Sequence, residues 1–117
     1  MPGYFLKDFD MALDVINEVA ADVGARAAPR LQFDIYHCAK IHGDVVRWIE
    51  KCGKFTEHYQ IAGIPDRHEP DIGSLPVADI FAAVEATSPG FTVGCEYRPS
   101  GVTEEGLGWR DKVRQQL

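Results

Sequence analysis

The stretch "FDIYHC", Phe33 to Cys38, sets a carboxylate, a phenol, an imidazole and a thiol side by side. Two later stretches offer comparable groups: "HYQIAG" places Gln60 among apolar neighbours, and "VGCEY" does the same for Glu96. The loop "PDRHEP" adds Arg67, His68 and Glu69. A carboxylate with apolar neighbours is costly unless it is paired or holds a metal. Two carboxylates and an amide oxygen are hard donors, better suited to Mg²⁺ or Mn²⁺ than to zinc. Each residue also has a plain structural reading. Asp34 could cap a turn, Glu96 could pair with Arg98 or Arg67, and Gln60 could be an ordinary hydrogen-bonding amide. His37 could be a satisfied histidine under a loop. Arg67 is either a solvated charge or a clamp for a substrate carboxylate.

Other reactive types carry less. Cys38, Cys52 and Cys95 are odd in number and form no CxxC, so neither a disulfide framework nor a cysteine zinc site is expected. With no base beside them they read as packing residues and reduced thiols. His42 and His58 read as structural or exposed, and Tyr4, Trp48 and Trp109 as packing.

The elements that must position these groups follow from periodicity. Residues 8–23 read as a helix with Leu13, Ile16, Ala20 and Val23 on one face, Asp8 as N-cap and Gly24 past its end. "LQFDIYH" reads as a strand, 43–52 as a helix stopped by Gly53, and "HYQIAGI" as a second strand. A proline-rich loop follows, then a helix over 76–86 with proline at its start and Val77, Phe81 and Val84 on one face. "FTVGCEY" reads as a third strand, and the tail as a loop and a short polar helix. Strands starting near Leu31, His58 and Phe91 recur at about the length of one βα module. This α-β-α-β-α-β-α order implies parallel strands covered by helices in one domain, with polar groups at the strand C-termini, where α/β sites gather.

The bulk properties narrow the class. The chain has 117 residues and a formal net charge of −6. An acidic surface repels phosphate backbones, so nucleic acid is not an expected partner. No apolar run reaches membrane-spanning length, so no membrane partner is expected either. The opening "MPGYFLKDFD" lacks a basic start, an apolar stretch and a small-residue cleavage site, and is read as no signal peptide. A cytoplasmic location is the expectation.

Taken together, "LQFDIYHC", "YQIAGIPDRHEPDIG", "VGCEYRP" and "GLGW", with the opening "MPGYFL", resemble the hydroxypyruvate isomerase family of xylose-isomerase-like (β/α)₈ barrels. The resemblance covers nearly the whole chain and places residues 1–117 as the C-terminal part of such a barrel, about its last three βα units (strands six to eight). It implies a divalent metal, Mg²⁺ or Mn²⁺, with Asp34, Gln60 and Glu96 as the ligands from those strands. It also implies Glu96 as one of two proton-transferring carboxylates and His37 and Arg67 as substrate contacts. Glu69 matches a motif position without a clear role. The glutamate that the family carries on strand five does not occur in this chain. Ala39, Lys40 and "GSLPV" at Gly73 to Val77 depart from the family pattern.

The leading expectation is therefore part of an isomerase that interconverts hydroxypyruvate and tartronate semialdehyde through an enediolate, the chain by itself being inactive. A 2-oxo-tetronate or a ketose is an alternative substrate. A second expectation is a non-catalytic half-barrel that pairs with itself or with a missing N-terminal half. A third, an endonuclease-like hydrolase, needs several zinc-binding histidines, and Gln60 and the acidic charge oppose it.

Overall fold

The computed structural model describes residues 3–116; Met1 and Pro2 of the "MPGYFL" stretch and Leu117 of the tail lie outside the described residues. Helix α1, Phe9–Val23, begins where the Asp8 carboxylate accepts the Met11 backbone N–H at 2.8 Å. It ends at Gly24, whose φ of 88° lies in the left-handed region that glycine takes without strain. Phe9, Leu13 and Ile16 form its buried stripe, whereas Val23, expected on that face, is exposed.

Three strands, β1 (Leu31–Asp34), β2 (Thr56–Ile61) and β3 (Val93–Cys95), form one parallel sheet in the order β1-β2-β3. The expected first strand is too long. It stops at Asp34, because the Asp34 side chain accepts the His37 N–H at 3.0 Å and opens helix α2, Ile35–Ile41. Ile35 and Cys38, one helical turn apart, then drop into the core. His37 therefore sits in the first turn of a helix rather than on a strand. The third strand is also shorter than "FTVGCEY": Phe91 and Thr92 are exposed, and Glu96 lies one residue past the strand.

The remaining helices follow the expected places. Helix α3, Val45–Cys52, is capped by Asp44; α4, Val77–Thr87, follows Pro76; and α5, Trp109–Gln116, closes the tail. No described helix is long and apolar enough to cross a membrane.

The sheet has two unlike faces, because successive side chains point to opposite sides. Phe33, Tyr59 and Ile61 are almost wholly buried against Phe9, Ile35, Ile49 and Ile80 from the helices. Fully burying an apolar side chain of this size contributes about 1.5–3 kcal/mol. The Phe33 ring packs 4.9 Å from Phe9 and 5.5 Å from Tyr59, whose hydroxyl meets Ser88 Oγ at 2.9 Å. The alternate residues Gln32, Asp34, His58 and Gln60 make the other face polar and partly open.

Candidate active site

On that polar face Asp34 is the register partner of Gln60, and Gln60 is the partner of Gly94. The bare Gly94 leaves room for its neighbours: a Cβ there would stand 3.1 Å from His58 Nε2 and 3.7 Å from Gln60 Cγ. Two residues on, Glu96 continues the alternation, and its N–H donates to the Ile61 carbonyl at 3.1 Å. Asp34 and Gln60 thus share one side of the sheet on adjacent strands, and Glu96 follows that alternation one residue past β3. Gln32 joins them: its Nε2 donates to Gln60 Oε1 at 2.6 Å. Gln32 was missed, although its spacing of two from Asp34 marks it as a same-face residue.

The carboxylates are engaged differently. Asp34 Oδ1 caps α2, and Oδ2 lies 3.9 Å from His37 Nε2. Glu96 turns to Arg67, with Oε2 3.4 Å from Nη2, which selects Arg67 over Arg98 as its ion partner. In kind, two carboxylates and an amide oxygen fit a hard divalent cation. Among the described residues, no group of three His, Cys, Asp or Glu could hold a metal ion. A cation site here would have to draw on the Gln60 amide as well as on Asp34 and Glu96.

Arg67 is held on several sides. Its φ is 64°, a left-handed backbone unusual outside glycine. Its N–H donates to the Gly63 carbonyl at 3.0 Å and its own carbonyl accepts the Arg98 N–H at 2.7 Å. Gly73, at φ 110°, lets the Ile64 carbonyl approach where any side chain would clash. The loop after β2 is thereby fastened to the end of β3, and His68 Nδ1 meets the Arg98 carbonyl at 2.8 Å.

Glu69 belongs to this fastening. It is buried, its Oε2 accepts the Ser100 N–H at 3.2 Å, and it packs on Gly106. Its own backbone N–H and the bonds from Ser100 hold its carboxyl below the ordinary range against the opposing effect of burial.

A cavity of about 520 Å³ borders the site, walled by Tyr4, Leu6, Phe9, Asp34, Tyr36 and His37. Tyr4, expected as a packing residue, is 62% exposed at its rim. His42 is structural: Nε2 accepts the Phe9 N–H at 3.2 Å and the ring stacks on Trp48 at 3.7 Å. Trp109 is buried and packs on Phe81 and Tyr97. All three cysteines are free thiols, Cys38 and Cys52 buried and Cys95 exposed.

Parallel strands under helices, with acidic and amide side chains at their C-terminal ends, have the architecture of a segment of an α/β barrel. Residues 1–113 match the model of the xylose isomerase-like TIM barrel family, and the chain belongs to that family. It is 41% identical over 109 residues to a 2-oxo-tetronate isomerase from Cupriavidus necator, covering 93% of this chain and 40% of the relative. It is 34% identical over 118 residues to hydroxypyruvate isomerase from Escherichia coli K12, covering 97% and 42%. Among solved structures it resembles an AP endonuclease of family 2 from Brucella melitensis, with a TM-score of 0.73, 40% identity and coverage of 96% and 42%. The chain thus spans about two-fifths of the length of the curated relatives it matches.

Proposed function

We propose that this chain provides three βα units of an isomerase for small hydroxy- and oxo-acids. The observation that carries the reading is the in-register pair Asp34 and Gln60 at the ends of two adjacent parallel strands, with Glu96 just past the end of the third. The names of the Cupriavidus and Escherichia relatives support the reaction class. Asp34, Gln60 and Glu96 would hold Mg²⁺ or Mn²⁺. Such an ion supplies charge neutralisation for an enediolate.

Glu96 transfers the proton at one substrate carbon, and a second carboxylate on the opposite side of the substrate plane, which this chain does not supply, transfers the proton at the neighbouring carbon. The C–H electron pair becomes the C=C bond of the enediolate while the carbonyl π pair moves onto its oxygen. The C=C pair then takes a proton at the neighbouring carbon, and the hydroxyl proton passes from the oxygen that becomes the new carbonyl to the former carbonyl oxygen, which interconverts hydroxypyruvate and tartronate semialdehyde. Arg67 binds the substrate carboxylate as a planar fork. His37, at the cavity wall, hydrogen-bonds a substrate oxygen. A 2-oxo-tetronate or a ketose fits the same chemistry. Free thiols agree with a reducing cytoplasm.

The reaction asks for a proton carrier on each side of the substrate plane, and the polar sheet face is open rather than enclosed. We therefore expect the 117-residue chain alone to turn over hydroxypyruvate negligibly. The test is calorimetric titration with Mn²⁺ beside an isomerase assay. Saturable Mn²⁺ binding that Glu96→Gln weakens supports the reading; binding unchanged by Glu96→Gln and by Asp34→Asn sinks it.

A second reading rests on the sheet edges. β1 and β3 each pair on one side, and a parallel edge invites a further strand. In this reading the chain is a non-catalytic half-barrel that joins a second copy or a missing N-terminal half. Sedimentation at several concentrations tests it, and a monomer throughout counts against self-association. The hydrolase reading is set aside, because Gln60 stands among the strand-end donors and the net charge of −6 disfavours a nucleic-acid substrate.

A further inference from the structure

We propose that Tyr36 is the positioning residue of this site, a ring platform that aims Arg67 at the strand ends and braces His37. The inference rests on the reading of Arg67 and His37 as substrate contacts. Tyr36 lies in the first turn of α2, two residues after Asp34, and its ring lines the cavity with Asp34 and His37. The Arg67 guanidinium carbon stands 5.0 Å from the centre of that ring. The His37 ring meets the same ring at 5.3 Å and 73°, an edge contact.

Arg67 crosses from the loop after β2 to reach the ring, then places Nη2 3.4 Å from Glu96 Oε2 and Nε 3.4 Å from the Glu96 carbonyl. One contiguous array therefore runs from His37 through Tyr36 and Arg67 to Glu96, joining the ends of all three strands.

The division of labour follows from the shape of a guanidinium. Its face attracts an aromatic ring, while its N–H donors lie in the plane and point outward from the edge. A ring against the face leaves that edge for carboxylates. An arginine already fixed by a ring and a left-handed backbone has less freedom to lose when an anion binds. The phenol hydroxyl is not part of this argument, so a phenyl ring serves equally.

The first readout needs no ligand. In the wild-type chain, ring current shifts the Arg67 side-chain protons upfield and the Nε–H is ordered in ¹⁵N relaxation. Tyr36→Phe keeps both signatures and Tyr36→Leu loses both. Wild-type Arg67 with random-coil shifts and a mobile Nε–H overturns the proposal, whether or not the leucine variant folds. The second readout is hydroxypyruvate affinity by NMR titration. Tyr36→Leu weakens it about three- to tenfold, the effect of a partly exposed cation–π contact, and Tyr36→Phe restores it. If Arg67→Ala loses affinity while Tyr36→Leu keeps it, Tyr36 is packing only and the proposal falls. If the wild type does not bind, or Arg67→Ala binds as well as wild type, the carboxylate-clamp reading falls and takes the proposal with it.

Discussion

Asp34 and Gln60 face each other across the β1–β2 ladder, and the same Asp34 closes the first turn of α2 through the His37 N–H. One carboxylate thus has a structural duty and a proposed chemical one, and two substitutions separate them. Asparagine caps a helix as well as aspartate, so Asp34→Asn keeps the melting temperature near wild type. It lowers Mn²⁺ affinity by at least about tenfold, the scale that even an outer partner of a metal ligand commands. Asp34→Ala loses the cap as well and costs about 1 kcal/mol in a denaturant titration. Equal stability of the two variants would contradict the capping role.

The Arg67–Glu96 pair orients groups more than it stabilises the fold. Its side chains are 26% and 54% exposed, so water and salt screen the attraction. A double-mutant cycle with Arg67→Met and Glu96→Gln gives a coupling of about 0–1 kcal/mol, shrinking as salt is added. A coupling several times larger and insensitive to salt would mark the pair as structural.

Glu69 makes the fold sensitive to acid. Its folded carboxyl lies below the ordinary 4.5, so the folded state favours the charged form. That contribution is complete above pH 4.5 and is lost as pH falls through the lowered folded value. Glu69→Gln is less stable at neutral pH and has a shallower fall in unfolding midpoint toward about pH 3. An identical acid slope in both proteins would assign it to another group.

The thiols divide by burial. Burial, and then the neighbouring Cys52, push Cys38 up to about 12, and burial pushes Cys52 up to about 11. Cys95 is raised as well, chiefly by burial, although the residue is exposed. In the native chain Cys95 reacts first with iodoacetamide, and Cys38 and Cys52 react on unfolding, as peptide mass mapping would register. Both buried groups are held as neutral thiols. The stability they carry is present below pH 9.0 and is lost as pH rises through about 11 to 12.

Phe33 joins β1 to the helices and is fully buried. Phe33→Ala costs about 3–5 kcal/mol, a large share of the stability of a small domain. Chemical denaturation measures it; a cost under about 1 kcal/mol would mean that the cavity refills.

Much of the frame was legible in the amino-acid order. Asp8 and Gly24 bracket α1 as their types predict, and apolar positions a turn apart mark α3 and α4. Glycine and proline punctuate the loops, and the roughly thirty-residue spacing of β-rich runs announces parallel βα units. The polar groups Asp34, Gln60 and Glu96 stood out among apolar neighbours near strand ends, and Arg67 stood out in the loop after the second strand.

Tertiary contact decided the rest. "DIYH" carries β-forming residues, and locally it continues the strand; only the cap at Asp34, with Ile35 and Cys38 seated in the core, turns it into α2. Glu96 had Arg67 and Arg98 as candidate partners, and chain proximity favours Arg98. The left-handed backbone of Arg67 and the hydrogen bond from the Arg98 N–H to its carbonyl bring the more distant side chain to the carboxylate instead. Local propensity reads neighbours along the chain, whereas sheet register and loop closure bring together residues thirty apart, and that is where this site is assembled.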